Sequence, residues 1–366
     1  MKQLILHIGL HKTATSSIQD TLAYNQKLLA ENRIHYPIFK SYNNKNMTNH
    51  SMAMHSLFCD SPNKYRMNIV NKWDASVVNP LYEEQLRDAA EKANTLLISG
   101  EGISALKENE LFRLKEFFYD FNIRVICFVR DAYGYHCSAL QERIKNGHEL
   151  LSENKLLTTS FKFKHIKAVF PDVEYYSFKD ACQFNGGAVR FFLSLLPLKN
   201  AEKFVEKKSN EGLGYHSTRL LNYINKTVPL FIDGKLNEER EGFVPKKLVF
   251  DSAKFKLKEN ELAMIEHQIK AENLEIKKHT GLDFNQTPLE VAANLNPSQK
   301  EIEHLIKLAR TQPKIFRDLV TSYCLDQKFA SKQQLEKLER RDVLQAVYDQ
   351  AIKKGKSALT RLKSSK

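Results

Sequence analysis

The chain has 366 residues, which is long enough to bury a large core and suggests about two domains. Hydrophobic residues make up 42% and aromatic residues 10% of the chain, and these ordinary fractions exclude a protein that is disordered as a whole. The formal net charge of +13 favours an anionic partner, such as nucleic acid, an acidic membrane surface, an acidic polymer or a nucleotide.

Alternating strands and helices are predicted over the first two thirds of the chain. The predicted strands and extended segments are residues 4–8, 34–39, 95–99, 123–129 and 173–178. The predicted helices between and after them are residues 17–32, 48–58, 80–92, 106–121, 132–146, 161–169 and 188–196. Because parallel strands are joined by helical crossovers, this order predicts a three-layer α/β fold, in which a central parallel sheet is flanked by helices.

Lysine-rich helical segments replace the strands beyond about residue 203. They are predicted at residues 216–225, 259–279, 299–310, 313–324 and 331–363. A passage with two prolines, residues 285–298, is predicted to be a linker. The sequence therefore predicts an α/β domain over residues 1–285 and a helical, lysine-rich C-terminal extension over residues 286–366. The basic run 353–363 suggests peripheral contact with an anionic membrane, although a frayed tail is the favoured alternative.

The cysteines and the N-terminus indicate a cellular compartment. The five cysteines are odd in number and far apart, which is typical of reduced thiols in a cytosolic protein. The apolar run at residues 4–8 is too short for the hydrophobic region of a signal peptide, and no stretch reaches the roughly 18 to 20 apolar residues of a membrane span. The motifs of common nucleic-acid-binding modules are also missing. We therefore expect a cytoplasmic protein that binds no nucleic acid.

A small, hydroxyl-rich loop with one lysine follows the first predicted strand and opens the first predicted helix. Its sequence is Gly9-Leu10-His11-Lys12-Thr13-Ala14-Thr15-Ser16-Ser17. The backbone N–H groups of such a loop, the positive end of the helix dipole and Lys12 point at one place, where an anionic group is held. A Walker A loop carries the triplet Gly-Lys-Ser/Thr, whereas here Lys12 comes earlier and that triplet is missing. The loop therefore predicts a phosphate-binding site of a different kind.

Two further polar features follow predicted strands. The strand 123–129 leads into Arg130, and Ser138 follows eight residues later in a predicted helix. Arginine suits phosphate because its planar fork binds two oxygens and stays charged. The strand 95–99 leads, by way of a glycine, into Glu101. These positions predict polar side chains at the ends of three strands.

The loop order Lys-Thr-Ala-Thr-Ser resembles the 5′-phosphosulfate loop of sulfotransferases that use 3′-phosphoadenosine 5′-phosphosulfate (PAPS). The likeness is to the bacterial-type branch that opens with His-x-Gly-x-x-Lys-Thr-Gly-Thr, with Ala14 in place of the second glycine. In this family an arginine at a strand end and a serine eight residues later hold the 3′-phosphate, a spacing that Arg130 and Ser138 match. The resemblance covers residues 1 to about 200, and less securely continues to about Gly281. It implies a P-loop sulfotransferase-like fold.

The resemblance also implies a reaction, in which a sulfuryl group moves in line from PAPS to an acceptor hydroxyl, without a metal. The expected acceptor is a carbohydrate or glycolipid, and the nucleotide product is 3′-phosphoadenosine 5′-phosphate (PAP). Lys12 is implied to stabilise the leaving phosphate oxygen, and Glu101 stands where the family places its catalytic base. His50 and His55 lie on a segment that is near the acceptor site in related chains, and they are candidates for acceptor contact or for an alternative base. His7 and His11, which flank the loop, are candidates for the same roles. The loop residues implied to bind the donor are Lys12, Thr13, Ala14, Thr15, Ser16 and Ser17.

Two functions of other classes remain open. A P-loop kinase would use ATP with Asp131 as the magnesium-holding acid, but the missing Gly-Lys-Ser/Thr triplet counts against it. A non-catalytic anion-binding protein would keep the fold without the chemistry, and the intact motifs count against that. Structural roles are the alternatives for the site residues themselves: a solvated lysine for Lys12, an ion pair with Asp131 or Glu142 for Arg130, a buried helix serine for Ser138, and a helix N-terminal acid for Glu101.

Overall fold

The computed structural model describes residues 2–149, 154–207, 212–233, 235–251, 253–286, 288–292 and 296–336. The strands are β1 (Lys2–His7), β2 (Ile34–His35), β3 (Phe39–Lys40), β4 (Asn46–Met47), β5 (Thr95–Ser99), β6 (Phe121–Val129), β7 (Glu174–Ser177), β8 (Phe231–Ile232) and β9 (Lys235–Leu236). The α-helices are α1 (Thr15–Tyr24), α2 (Gln26–Glu31), α3 (Ser51–Phe58), α4 (Arg66–Asn71), α5 (Ala75–Lys92), α6 (Glu108–Phe117), α7 (Ala132–Lys145), α8 (Ser160–Val169), α9 (Phe178–Gln183), α10 (Gly187–Ser194), α11 (Tyr215–Thr227), α12 (Glu259–Thr280), α13 (Gln299–Ala309) and α14 (Lys314–Asp326).

A five-stranded, all-parallel sheet forms the centre of the α/β part, in the order β2-β5-β1-β6-β7. β1 lies in the middle and pairs with β5 on one side and β6 on the other. Helices flank this sheet, and α13 and α14 follow it toward the C-terminus. The predicted α/β fold, with a central parallel sheet and C-terminal helices, is therefore confirmed.

Apolar residues fill the sheet because its strands are buried on both faces. On one face, Ile5, Leu97 and Phe128 belong to a single buried core. Ile18 and Leu22 of α1 pack into the same core. A fully buried side chain of this kind contributes roughly 1.5–3 kcal/mol to stability. The core therefore fixes α1 against the sheet, and with it the loop that precedes α1.

Two predicted elements are divided in the structure. The predicted helix 17–32 is two helices, α1 and α2, which part at Asn25. The Asn25 side chain donates to the carbonyl of Val205, 2.8 Å away, and this tertiary bond accompanies the break. The extended segment 34–39 is also split, because β2 joins the central sheet whereas β3 pairs with β4. Helices α4 and α9 lie outside the predicted helices.

The chain forms two compact units. The first unit, which holds the central sheet, comprises Met1–His136, Lys155–Glu211 and Ile265–Leu289. The second unit comprises Cys137–Asn154, Gly212–Met264 and Glu290–Lys366. The second unit has its own core, in which Leu220 of α11, Leu305 of α13 and Phe316 of α14 are buried together. The division predicted between residues 285 and 286 stays a prediction, and the basic run 353–363 lies outside the described residues.

Two further observations bear on the expected compartment. All five cysteines lie within the described residues, and none of them forms a disulfide bond. Among the helices that the structure describes, none combines the length and the apolar character that crossing a membrane requires.

Candidate functional site

The loops that follow β1, β5 and β6 meet at the carboxyl edge of the central sheet. β1 pairs residue by residue with both neighbours up to His7, where the loop begins. Because these strands are parallel, the residues that follow them share one edge, and ligands bind at this edge in open α/β sheets. The fold therefore brings three of the predicted site residues to the same edge, namely Lys12, Glu101 and Arg130.

The loop after β1 has an unusual backbone. Lys12 (φ 71°) and Ala14 (φ 58°) are both left-handed, whereas Thr13 between them is not among the residues with positive φ. Such alternation turns successive N–H groups toward one point and forms an anion-binding concavity. A left-handed conformation costs a residue with a side chain about 1–2 kcal/mol. Two strained residues within three positions are the kind of feature that collects at functional sites.

Gly9 and His7 form the floor of this loop. A Cβ on Gly9 would lie 2.9 Å from Nε2 of His7 and 3.1 Å from Oγ1 of Thr13, so only glycine fits there. The His7 ring is fully buried, with Nδ1 2.9 Å from the hydroxyl of Ser99 and with no hydrogen-bond partner at Nε2. Burial lowers the pKa of His7 to about 4, against a smaller raising effect of Glu101. His7 is therefore neutral at pH 7 and lies beneath the loop as a packed ring.

The N-terminus of α1 adds a positive end to the same place. Its first turn contains no acidic residue, and no side chain caps it. The first bond between turns joins the amide of Ile18 to the carbonyl of Ala14 at 3.0 Å, so the dipole of α1 begins at the concavity. The hydroxyl of Thr13 donates to the carbonyl of Leu10 at 2.6 Å and closes the loop from inside. Thr13 can therefore reach an anion through its backbone amide, and Thr15 is buried beside it.

Arg130 touches the loop directly. Its Nη1 donates to the carbonyl of Lys12 at 3.1 Å, and its guanidinium lies over the ring of Phe178, 5.6 Å from the centroid. A Cβ on Gly134 would come within 2.9 Å of Nε of Arg130, so the first turn of α7 leaves room for the arginine. The two sequence motifs, one after β1 and one after β6, are in contact. Two cationic side chains therefore stand at one edge of the sheet.

Asp131 and Ser138 have different surroundings. Oδ1 of Asp131 accepts from the amide of Gly134 at 2.7 Å, which is the geometry of an acid at the start of a helix. This contact gives Asp131 a structural role and weakens the kinase alternative. Ser138 is buried in the part of α7 that belongs to the second unit. Its predicted role in holding the 3′-phosphate stays a prediction.

Glu101 is held in place by side chains from two other elements. It opens a short 3₁₀ helix, Glu101–Ala105, directly after β5. Its Oε2 accepts from Nε2 of Gln19 on α1, and its Oε1 accepts from Nδ2 of Asn49, both at 3.0 Å. Burial alone raises the pKa of Glu101, but the bonds from its own amide, Gln19 and Asn49, together with the charge of His11, outweigh burial and leave the pKa below its usual value. Glu101 is therefore a fixed carboxylate at the edge of the loop.

The two candidate histidines, His50 just before α3 and His55 within α3, differ in their surroundings. His50 is fully buried, and its Nε2 lies 2.8 Å from the carbonyl of Pro37 while its Nδ1 accepts from the amide of Ser99 at 3.0 Å. Burial lowers the pKa of His50 to about 4, so the ring is neutral and both nitrogens hold the backbone together. His55 is half-buried, and its Nδ1 lies 3.0 Å from the carbonyl of Gly102. His55 is therefore better placed than His50 to contact an acceptor.

Three further side chains surround Glu101. They are His11, whose Nδ1 lies 3.9 Å from Oε1 of Glu101, and the amide side chains of Gln19 and Asn49. The position of His11 beside the loop already makes it, like His50 and His55, a sequence-based candidate for acceptor contact or for the base. Gln19 and Asn49 carry no such signal, because only the tertiary fold brings α1, the start of α3 and the end of β5 together.

The chain was compared with known proteins in three ways. Neither the family models nor the curated proteins nor the solved structures gave a match. The grounds for a function are therefore the residues, their geometry and the resemblance of the two phosphate-binding motifs. That geometry offers two cations, a strained N–H-rich loop, a helix N-terminus and a fixed carboxylate, which together suit an anionic substrate and a proton transfer.

Proposed function

We propose that the chain is a PAPS-dependent sulfotransferase, which moves a sulfuryl group to a hydroxyl of a carbohydrate or glycolipid acceptor. The observation that carries the proposal is the 3.1 Å bond from Arg130 to the carbonyl of Lys12. It joins the two motifs that resemble the phosphate-binding parts of this family. A nucleotide with phosphates at both its 5′ and 3′ positions needs such a pair of neighbouring cationic sites.

The residues present fit a bound phosphosulfate nucleotide. The alternating φ signs at residues 12–14 supply amides for an anion, and Gly9 lets the loop backbone pack closely against His7 and Thr13. No acidic side chain lies in the first turn of α1, where it would repel a phosphate. Lys12 and Arg130 supply positive charge, and Arg130 offers a planar fork. When PAPS is bound there, it supplies the sulfuryl group.

Each side chain has a defined task in such a transfer. Lys12 stabilises the negative charge that grows on the bridging phosphate oxygen as the sulfur–oxygen bond breaks. The loop amides and the N-terminus of α1 hold the 5′-phosphate, and Arg130 holds the 3′-phosphate. The carboxylate of Glu101 either accepts the proton of the acceptor hydroxyl or orients a neighbouring group that accepts it. The arrangement suits in-line transfer, because the groups that hold the donor keep its sulfuryl group in one orientation toward the acceptor.

A cytoplasmic location belongs to the same proposal. Five cysteines that form no disulfide bond are typical of a reducing compartment. The basic character of the chain, with a formal net charge of +13, suits an acidic acceptor surface such as a glycolipid or polysaccharide.

Thermal unfolding with two nucleotides tests the proposal. We expect PAP to raise the Tm of the wild-type chain by several degrees, since a ligand at about 100 times its Kd stabilises a protein by about 2.7 kcal/mol. ATP with magnesium should give a smaller shift. Arg130→Ala should remove the shift caused by PAP, whereas Arg87→Ala, which removes an exposed arginine of α5, should keep it. A larger shift with ATP and magnesium than with PAP would favour the kinase.

Turnover of labelled PAPS tests the chemistry separately from binding. Lys12→Met should lower the rate of PAP formation by about 10²–10³-fold, which is the usual cost of removing one donor to a developing negative charge. Lys45→Met, which replaces an exposed lysine outside the site, should leave the rate unchanged. Tight PAP binding without any sulfate transfer by the wild-type chain would support the non-catalytic alternative.

A further inference from the structure

Glu101 has the features of a positioning group rather than of a proton acceptor. Both of its oxygens already accept hydrogen bonds, from Gln19 and from Asn49, and its side chain is only 13% exposed. The same contacts hold its pKa below the usual value, although burial opposes them. A base is most effective when its pKa lies near the working pH, so a carboxylate with a lowered pKa accepts protons poorly. Glu101 is better suited to act through a neighbour.

His11 is that neighbour. Its Nδ1 lies 3.9 Å from Oε1 of Glu101, and its side chain is 49% exposed, so an acceptor can reach it. It directly precedes Lys12 in the loop. A carboxylate beside one ring nitrogen keeps a proton on that nitrogen and makes the other one the proton acceptor. The distance is longer than a hydrogen bond, but catalytic hydrogen bonds commonly tighten only when the substrate binds.

We propose that His11 is the catalytic base of the sulfuryl transfer and that Glu101 is its positioning residue, an inference that rests on the proposed function. The acceptor oxygen forms its bond to sulfur while its proton passes to Nε2 of His11. The bond from sulfur to the bridging oxygen of the 5′-phosphate breaks, and its electron pair stays on that oxygen, which Lys12 stabilises. His11 then releases the proton to solvent.

The surrounding charges determine how this pair responds to pH. Glu101 faces His11 from the end of β5, and Lys12 follows His11 in the loop. The other titratable or charged groups on the elements around the pair include His7 of β1, Asp20 of α1, Tyr36, His50 just before α3, His55 of α3, Tyr65 and Arg130, which donates to the carbonyl of Lys12. Burial lowers the pKa of His7 to about 4 and raises the pKa of Tyr65 to about 12, so neither titrates near neutral pH. His55 is half-buried on α3 and is itself a candidate base, so the experiment must distinguish His11 from His55.

The test measures PAP formation from PAPS between pH 5 and 9, with water or an identified hydroxyl compound as acceptor. His11→Gln should lower kcat by about 10²-fold or more and should remove the acid limb of the wild-type pH profile. Glu101→Gln should lower kcat less and should move the acid limb to lower pH by about one unit, because the imidazolium loses a neighbouring negative charge. Glu101→Asp should restore part of the shift. His304→Gln, at an exposed histidine of α13, is the matched control and should change nothing.

Binding and turnover together separate the two levels of inference. His11→Gln and Glu101→Gln should keep the rise in Tm that PAP causes. That result would show that both variants fold and bind the nucleotide. If PAP stabilises His11→Gln and its kcat stays within threefold of wild type, His11 is not the base and this inference alone is overturned. The same holds if the acid limb disappears in Glu101→Gln or His55→Gln and persists in His11→Gln. If PAP does not stabilise the wild-type chain, or if no PAPS is turned over, the proposed function fails and takes the inference with it.

Discussion

Both compact units bury polar side chains, but they use them differently. In the second unit, Arg240 is buried and donates to the carbonyl of Val228 and to Oδ1 of Asn225. Asn225 in turn donates to the carbonyls of Ile144 and His148 at 2.7 and 2.9 Å. These donors bind carbonyls in or just beyond the last turns of α7 and α11, where helix carbonyls need partners from outside the helix. The cluster therefore caps helix ends, and this structural role accounts for the buried arginine.

In the loop after β1, in the first unit, the buried polar groups are not all hydrogen-bonded as they are in the arginine cluster. Nε2 of His7 is buried without a partner, and two residues with side chains, Lys12 and Ala14, are left-handed. A shifted pKa does not separate the two regions, because burial lowers the pKa of Arg240 to about 10 as well as that of His7 to about 4. The loop differs from the arginine cluster because it combines two left-handed residues within three positions with an unpartnered buried nitrogen beneath them. That combination supports the loop, rather than the arginine cluster, as the candidate functional region.

The largest expected effect is acid destabilisation of the first unit. Burial lowers the pKa of His7, His50 and His136 to about 4, from 6.5. The unfolded chain binds protons below about pH 6.5 and the folded chain only near pH 4, so stability is complete above this window and is lost as the pH falls through it. Each histidine should cost roughly 2 kcal/mol at pH 5.

Hydrogen exchange at pH 7 and pH 5, corrected for intrinsic exchange rates, measures this loss in each unit. His216 of the second unit is shifted in the same direction by burial, but Arg240 stays protonated throughout this range. The first unit should therefore lose more protection than the second. Equal protection of the first unit at both pH values would contradict the neutral, buried state of its histidines.

Replacement of Arg240 tests whether its cluster is only structural. Arg240→Met removes the donors to Val228 and Asn225 and should lower the free energy of unfolding by about 2–3 kcal/mol. The rise in Tm caused by PAP should remain. Arg317→Met, at an exposed arginine of α14 in the same unit, should change stability by no more than about 0.5 kcal/mol. Loss of the PAP effect in Arg240→Met would show that the contrast between the regions is wrong.

The succession of strands and helices along the chain, and the strand ends that carry the candidate site residues, could be predicted from the sequence, because they depend on local patterns. The strand at 95–99 is reproduced as β5, and Lys12, Glu101 and Arg130 lie after the strands that were expected to carry them. The partners of Glu101 could not be predicted. Gln19 lies on a helix and Asn49 in a separate loop, and only long-range folding brings them to one carboxylate. The break at Asn25 was missed for the same reason, since its bond to Val205 is a tertiary contact.

Gly9 offers a smaller and more local test of the loop. Gly9→Ala places a methyl group 2.9 Å from Nε2 of His7 and 3.1 Å from Oγ1 of Thr13. The loop must shift to make room, so we expect a loss of about 1–3 kcal/mol in stability and a much smaller rise in Tm with PAP. Gly212→Ala is the matched control, since no atom lies within 4 Å of the Cβ that it adds. Unchanged PAP binding in Gly9→Ala would mean that the floor of the loop does not shape the site.

Replacement of Ala14 has the smallest expected effect on stability, but the sign of that effect is the most informative. Glycine occupies this position in the motif that the loop resembles, and Ala14 adopts the positive φ that glycine takes without strain (φ 58°, ψ 16°). Ala14→Gly relieves about 1–2 kcal/mol of strain, but it also adds about 0.4–1 kcal/mol of chain entropy to the unfolded state. We therefore expect a net gain in stability of up to about 1 kcal/mol, with PAP binding retained.

Ala23→Gly is the matched control for this change. Ala14 and Ala23 are both partly buried against the same core, so each substitution removes a comparable methyl contact. Ala23 lies within α1 with ordinary helical φ, where glycine lowers stability by roughly 0.5–1 kcal/mol. Urea unfolding of the two variants should therefore give free-energy changes of opposite sign. If Ala14→Gly destabilises the chain as much as Ala23→Gly does, the loop carries no strain at Ala14, and strain no longer separates it from the arginine cluster.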